Sequence, residues 1–243
     1  MEALLSIFRI PDLRRKVLIT IALLALCRLG VYVPIPGVNV DALHKLLDTL
    51  GKDPIGNVLG LMNLFAGGAF ANCAIFGLGV MPYISASIIF QLLASVVPSL
   101  EQLQKEGEAG RRKITQYTRY ATVGLCFLQG FITIQALGGG GAVSGIFPKE
   151  TSFVVMASIM LTTGSMLLMW IGEQIDEYGI GNGISLIIMV GILDRMPGAI
   201  GEVLRTFSPS LESVVKVVVL VGMFVGVIVG IIFVSEAQRR IPF

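Results

Sequence analysis

The sequence predicts an all-α membrane protein whose helices cross the bilayer several times. Of its 243 residues, 54% are hydrophobic and only 14% are charged, whereas soluble domains carry about 25% charged residues. The mean hydropathy is +0.84. Several apolar stretches reach the ~20 residues that an α-helix needs to cross a bilayer. The net charge of +2 gives no reason to expect a nucleic-acid partner.

The apolar stretches predict a polytopic bundle of six transmembrane helices, which form a single transmembrane domain over residues 1–243. We place the spans at about residues 17–33, 74–97, 118–137, 152–172, 183–202 and 213–235. The first apolar run is long enough to be a true span, and no cleavable signal peptide is evident. The cysteines Cys27, Cys73 and Cys126 lie far apart in or beside apolar sequence, which is typical of small packing residues.

The distribution of lysine and arginine predicts the orientation, because cytoplasmic loops are enriched in these residues. Eleven of them flank the side that carries both termini, and six flank the other side. The eleven are Arg9, Arg14, Arg15, Lys16, Lys105, Arg111, Arg112, Lys113, Arg119, Arg239 and Arg240. Both termini are therefore predicted to be cytoplasmic.

Arg28 lies inside the first predicted span. A charged residue within a span is by default a candidate functional residue. Arg28 is also close enough to the outer end for its side chain to reach the interface, and we favour this snorkelling interpretation.

Residues 55–72 are apolar but do not resemble a simple span. They contain three asparagines and four glycines, and their apolar part is too short to cross a bilayer. Such a segment is tolerated at membrane depth only if it packs within protein or lines a water-filled cavity. The residues are compatible with a re-entrant half-helix or with an interfacial helix on the outer surface, and composition does not separate the two.

Two apolar helices carry isoleucines four residues apart, Ile84 with Ile88 and Ile184 with Ile188. Residues at this spacing share one helix face. Two such faces turned toward each other would form an apolar constriction that blocks water and ions by dewetting. The alternative is ordinary packing or lipid contact, which the spacing alone favours.

A set of sequence strings resembles the SecY family, the central subunits of the bacterial protein-conducting channel, over nearly the whole chain. In chain order the strings are IPDLRR at 10–15, RLGVYVPIPG at 28–37, NLFAGG at 63–68, MPYISASI at 81–88, KEGE at 105–108, GRRKITQYTRY at 110–120, WIGEQ at 170–174, GIGNGIS at 179–185 and EAQRRIP at 236–242. The resemblance implies the first inverted-repeat half of that fold plus one helix, six spans with a re-entrant plug half-helix. It implies that the C-terminal half is absent from these 243 residues.

The resemblance implies roles for named residues. The pore ring would include Ile84, Ile88, Ile184 and Ile188. The plug would include Leu61, Asn63, Leu64, Phe65, Gly67 and Gly68. The lateral gate would include Ser85, Ser87 and Gln91, for which interhelical hydrogen bonding is an equally good explanation. Cytoplasmic partners would contact Lys105, Arg111, Arg112, Lys113, Arg239 and Arg240, although topology alone explains the basic loop.

The resemblance also implies a function and partners. The chain would be the pore-forming subunit of a translocase in the bacterial cytoplasmic membrane. It would move unfolded secretory proteins across the membrane and release transmembrane segments into lipid. Its partners would be SecE, SecG, the motor ATPase SecA, the ribosome, and the unfolded preprotein with its signal sequence. No cofactor and no nucleic acid other than ribosomal RNA is expected.

Other classes fit the residues less well. A solute transporter usually needs an ionisable site within the membrane, and only Arg28 lies deep in a predicted span. Glu173, Asp176 and Glu177 cluster at the end of the fourth span, where we favour a solvated cap over a proton relay. A membrane enzyme or a metal site is not expected, because His44 is the single histidine and no catalytic constellation is evident.

Overall fold

The computed structural model describes residues 11–50, 54–139, 151–206 and 211–236. These residues form ten helices. Their bounds are α1 Pro11–Gly30, α2 Val40–Leu50, α3 Pro54–Phe65, α4 Met81–Val96, α5 Pro98–Lys105, α6 Glu108–Gly139, α7 Thr151–Tyr178, α8 Gly183–Leu193, α9 Met196–Thr206 and α10 Leu211–Glu236. The described residues contain no β-strand beyond an isolated bridge between Pro34 and Ala74. The predicted all-α fold class is confirmed.

The chain divides into two compact units, residues 1–195 and residues 196–243. The first unit contains α1 to α8, and the second contains α9 and α10. In the first unit α7 packs against α1, α6 and α8, while α4 and α5 pack against α6. In the second unit, the described side chains of α10 from Val218 onward are all exposed.

Helix α7 is the most extensively buried element of the first unit. Its buried residues extend from Phe153 to Ile175 and include several small side chains. Two buried hydroxyls on this helix donate to the carbonyl four residues earlier, Ser158 to Val154 at 2.7 Å and Thr162 to Ser158 at 2.8 Å. These hydrogen bonds satisfy hydroxyl groups that would find no partner in the hydrocarbon of a bilayer.

Several helix ends differ from the limits that the apolar pattern suggested. Helix α4 begins at Met81, whereas the second predicted span began near residue 74, and residues 74–80 form turns instead. Pro82 lies in the first turn of α4, where a missing N–H costs nothing. The fifth predicted span, 183–202, is interrupted at Asp194 and Arg195. Since a helix end is not a membrane boundary, the six spans stay a prediction.

A sharp bend separates α4 from α5. The two helices meet at 98°. Val97 is extended, with φ −94° and ψ 114°, because the following proline disfavours the helical conformation. Helices α4 and α5 consequently run in different directions.

By length and composition, three stretches of the described residues qualify as membrane-spanning. They are Thr151–Tyr178, Gly183–Gly201 and Val217–Glu236, and the bent pair of α4 and α5 makes a fourth if it is counted as one span. They correspond to the fourth, fifth, sixth and second predicted spans.

Gly164 on α7 lets the backbone at Ile75 come closer to the helix than a residue with a side chain would permit. A Cβ built at Gly164 would overlap the carbonyl oxygen of Ile75, whereas one at Gly124 on α6 would meet nothing within 4 Å. We expect Gly164→Ala to lower the free energy of unfolding by about 1–3 kcal/mol, because the loop must move away from α7.

The matched control is Gly124→Ala, which we expect to be neutral or to stabilise by up to about 1 kcal/mol through helix propensity. Thermal unfolding of the full-length polypeptide in detergent, followed by circular dichroism, measures both. Equal melting temperatures for the two variants would contradict the close approach.

Candidate functional site

The short helix α3 ends in a motif that turns the chain back into the protein. The N–H of Gly68 donates to the carbonyl of Asn63 at 2.8 Å, and the N–H of Gly67 donates to Leu64 at 3.1 Å. Gly67 has φ +61° and Gly68 has φ +90°. This is the Schellman arrangement, in which a left-handed residue closes the last helical turn, and glycine adopts that conformation without a steric penalty.

The side chain of Asn63 connects the end of α3 to the loop that follows it. Asn63 is 9% exposed, and its Oδ1 accepts a hydrogen bond from the N–H of Ala71 at 3.0 Å. An Asn at this position is therefore a structural bridge, because it satisfies a buried backbone amide that no carbonyl reaches.

Residues 66–80 form a buried, non-helical loop. Apart from half-buried Asn72 and Ile75, all of its side chains or glycines are buried. The N–H of Ile35 donates to Cys73 at 2.9 Å, and the N–H of Ile75 donates to Val33 at 3.1 Å. The segment that follows α1 thus hydrogen-bonds with the loop as a short antiparallel pair, and irregular backbone is held inside protein as membrane depth demands.

Helix α3 itself packs on two sides. It contacts α2 and α8, and it leaves Leu61 56% exposed and Phe65 37% exposed. Leu64 is half-buried. The six residues assigned to the plug therefore occupy one continuous helix end and turn, next to the helix that carries Ile184 and Ile188.

The start of α8 is fixed by the turn that joins it to α7. The Asn182 side chain accepts a hydrogen bond from the N–H of Ser185 at 3.0 Å, a standard N-cap. The N–H of Gly183 donates to the Asp176 carboxylate at 2.6 Å. A Cβ at Gly183 would overlap the backbone of Gly172 on α7. The string at 179–185 therefore serves to fold α8 tightly against α7.

The two isoleucine pairs have different surroundings. Ile184 and Ile188 are partly buried and pack against the larger of the two core clusters. Ile84 is half-buried, while Ile88 is 51% exposed. Helices α4 and α8 are not among the extensively packed pairs of described helices. The first unit does not bring the four isoleucines into one ring, so their pore role stays a prediction.

The polar residues of α4 are exposed or half-buried, and Ser87 and Gln91 share one helix face. Ser85 and Gln91 are exposed, and Ser87 is half-buried. The Gln91 amide donates to the Ser87 hydroxyl at 3.1 Å, one turn away on the same helix. For this pair the hydrogen bond is within one helix and not between helices.

The basic residues near the α5–α6 turn are exposed and partly paired. Lys105 Nζ lies 2.6 Å from Glu101 Oε1, and Lys113 Nζ lies 3.7 Å from Glu106 Oε2. Exposed ion pairs of this kind contribute little to stability. The contact of these residues with a cytoplasmic partner stays a prediction.

The remaining basic residues divide into two groups. Arg111 and Arg112 are exposed, and Arg111 lines an open cavity of about 360 Å³ together with Ser87 and Gln91. Arg239 and Arg240 lie outside the described residues.

The acidic cluster at the end of α7 has structural partners. Glu173 pairs with Arg119 of α6 at 2.8 Å, and Asp176 accepts the N–H of Gly183 described above. These contacts agree with the cap interpretation. In the described part of the chain, no group of three or more His, Cys, Asp or Glu side chains is arranged to hold a metal ion.

Arg28 has partners that the sequence did not suggest. Its guanidinium donates to the carbonyl of Gly67 at 2.8 Å and forms an ion pair with Asp194 at the end of α8. These contacts show that Arg28 has partners within the protein, and the position of its side chain relative to the membrane interface stays a prediction. In the sequence, Asp194 comes directly after an apolar helix and could have been recognised as a partner for a cation. Nothing in the sequence relates it to Arg28 in particular.

The all-helical fold, the apolar helices of membrane-spanning length and the buried non-helical loop at 66–80 are together typical of polytopic membrane proteins. The SecY family model matches residues 74–243. The chain belongs to the SecY family.

Curated relatives match the chain along most of its length. The protein translocase subunits SecY of Mycobacterium tuberculosis and Streptomyces coelicolor are each 40% identical, over 100% and 97% of this chain. That of Pseudomonas aeruginosa is 42% identical over 88% of it. The matches cover 55%, 55% and 47% of those proteins. The chain spans about half the length of the curated relatives it matches.

Two solved structures share the fold. Sec61 in the canine ribosome-channel complex from the endoplasmic reticulum has a TM-score of 0.59 and covers 95% of this chain and 49% of that one. A structure described as that of a protein conducting channel has a TM-score of 0.58, with 88% and 46% covered. Both are 18% identical, so the likeness concerns the fold alone.

Asn63 gives a test of the loop geometry. Replacing it with alanine leaves the buried N–H of Ala71 without an acceptor, which costs about 1–3 kcal/mol of unfolding free energy. We expect a lower melting temperature for Asn63→Ala in the full-length polypeptide, measured in detergent.

Asn72→Ala is the matched control. The Asn72 amide is half-buried and makes only a long 3.5 Å contact with the carbonyl of Val31. We expect a melting temperature near that of the unmodified protein. An Asn63 variant as stable as the Asn72 variant would show that the bond to Ala71 does not hold the loop.

Proposed function

We propose that this chain is the first half of a protein-conducting channel, which moves unfolded secretory proteins across a membrane and releases transmembrane segments sideways into lipid. The observation that carries the proposal is the buried loop 66–80, which returns α3 to the protein and lies against α8. The names of the relatives, protein translocase subunits, support the same activity.

The physics of the bilayer explains why such a channel is needed. An unfolded chain cannot cross hydrocarbon, because each unsatisfied backbone group costs several kcal/mol. A narrow apolar ring holds no charge or dipole that would trap the passing chain. When the ring is closed it excludes water and ions by dewetting.

We assign the apolar ring to Ile84 and Ile88 on α4 and to Ile184 and Ile188 on α8. The support is that both pairs lie on helix faces at a spacing of four, and that α3 packs against α8. In the resting channel α3 and its turn form the plug, through Leu61, Asn63, Leu64, Phe65, Gly67 and Gly68. These four isoleucines are the members of the ring that we assign within residues 1–243.

We assign one wall of the lateral gate to Ser85, Ser87 and Gln91. A gate helix faces water when the channel is open and lipid when it is closed, so it needs polar groups in an apolar sequence. The exposure of Ser85 and Gln91 supports this assignment, as does the open cavity beside Ser87 and Gln91.

The proposal includes a location and partners. The chain lies in the cytoplasmic membrane of a bacterium with both termini in the cytoplasm, as its lysines and arginines favour. SecE and SecG complete the channel, and SecA or the ribosome docks on the cytoplasmic face. The exposed Lys105, Arg111, Arg112 and Lys113 provide a basic surface for that docking, continued by Arg239 and Arg240.

The ring is tested by Ile84→Ser combined with Ile188→Ser in the full-length polypeptide. Hydroxyls in the constriction favour wetting, so we expect faster ion leak from proteoliposomes and acceptance of weaker signal sequences. The control is Ile132→Ser with Ile159→Ser, two isoleucines that are 56% and 53% exposed on α6 and α7. Leak and selectivity equal to this control would reject the ring.

The activity itself is tested by photocrosslinking. A photoreactive residue at position 84 should crosslink to a stalled secretory chain, and the same residue at position 132 should not. A solute transporter has no reason to contact a polypeptide, so absence of any adduct at position 84 would argue for that class instead.

A further inference from the structure

Arg28 joins three parts of the first unit that are distant in the sequence. Its guanidinium donates to the carbonyl of Gly67 at 2.8 Å and pairs with the carboxylate of Asp194. Its Cζ lies 5.6 Å from the centre of the Tyr32 ring. The arginine side chain is 22% exposed. Helix α1, the turn after α3 and the end of α8 thus meet at one cation.

The environment makes these partners important. A guanidinium at membrane depth is costly unless it is paired and hydrogen-bonded. The cation also lies beyond the C-terminal end of α3, where the helix dipole favours positive charge. Removing Arg28 or Asp194 would leave the other charge of the ion pair without its partner.

The backbones of the turn and of α8 also approach each other closely. A Cβ built at Gly67 would lie 2.9 Å from the Cα of Gly191, so no side chain fits between them. A second cation, Arg195, lies against Gly68 and is electrostatically unfavourable with Arg28. Arg28 pairs with Asp194 at the end of α8 and also bonds to Gly67 in the turn, so its guanidinium connects the turn to α8.

We propose that Arg28 is a positioning residue that holds the plug turn against the end of α8, so that displacement of the plug requires its bonds to Gly67 and Asp194 to break. This inference rests on the proposed plug role of α3. The Arg28–Asp194 pair then sets how readily the resting channel opens, while the residues of the ring determine how tightly it seals.

Cys73 provides a direct readout, because it lies in the loop after the turn and is 8% exposed. In the full-length polypeptide, all other cysteines are replaced by alanine, and the rate of Cys73 modification by a water-soluble maleimide is measured in proteoliposomes. Dye leak from the same vesicles and translocation of a signal-bearing precursor are measured in parallel.

We expect Arg28→Gln to increase the Cys73 modification rate about tenfold and to increase leak, because a charge-assisted bond and a charge pair are both lost. Asp194→Asn keeps the bond to Gly67 and should give a smaller increase. Arg28→Lys keeps the charge but not the two-pronged geometry, so it should fall between the wild type and Arg28→Gln.

Arg15→Gln and Asp12→Asn are the matched controls, since both residues are exposed on the same helix. They should label and leak as the wild type does. If Arg28→Gln fails to insert, Asp194→Asn carries the test, because this isosteric change is made at a carboxylate that is 42% exposed.

If Cys73 is modified at the wild-type rate in both Arg28→Gln and Asp194→Asn, in vesicles that translocate the precursor, the inference is wrong and the proposed function stands. Vesicles that never translocate the precursor would count against the proposed function. Faster Cys73 labelling in those vesicles would still support the contact between Arg28 and the turn.

Discussion

The structure of the first unit depends on one constraint, that backbone amides at membrane depth must be satisfied by protein. Helices meet this constraint internally, but residues 66–80 are not helical and need other partners. Many of the loop N–H groups donate to carbonyls of the loop itself, as Ala74 does to Ala69 at 2.9 Å. Ala71 donates instead to the Asn63 side chain, and residues 73 and 75 hydrogen-bond with the segment at 33–35. The packing of α1, α3 and α8 around this loop is the means by which the loop is kept out of lipid.

Close contacts at glycine allow that packing. Gly67 meets Gly191, Gly183 meets Gly172, and Gly164 meets the carbonyl of Ile75. Small residues let backbones approach in membranes, where apolar surfaces gain little from leaving lipid for each other. Close backbone contacts therefore limit how the loop and α8 can pack. The hydrogen bonds and ion pair of Arg28, Asn63 and Asp176 then stabilise the packing that the structure shows.

Much of this architecture could be predicted from the sequence, and the exceptions have physical causes. The apolar patterns at 152–172 and 213–235 correspond to α7 and α10, because long apolar runs have only the helix as a solution in lipid. Residues 74–80 are as apolar as the helix they precede, so composition could not separate turns from α4. The roles of Asn63 and Arg28 depend on partners that folding alone brings near, and for Arg28 the distance along the chain is 166 residues. The ring of four isoleucines stays a prediction, because their spacing alone favours ordinary packing and the pore role follows from the family resemblance.

The separation of Arg28 from Asp194 has a consequence for biosynthesis. At translation rates of ~5–20 residues per second, the arginine is made roughly 10–30 s before the acid that pairs with it. The ion pair cannot form before Asp194 exists, so the arrangement of α1, the turn after α3 and the end of α8 around this cation is completed only when synthesis reaches the end of the first unit.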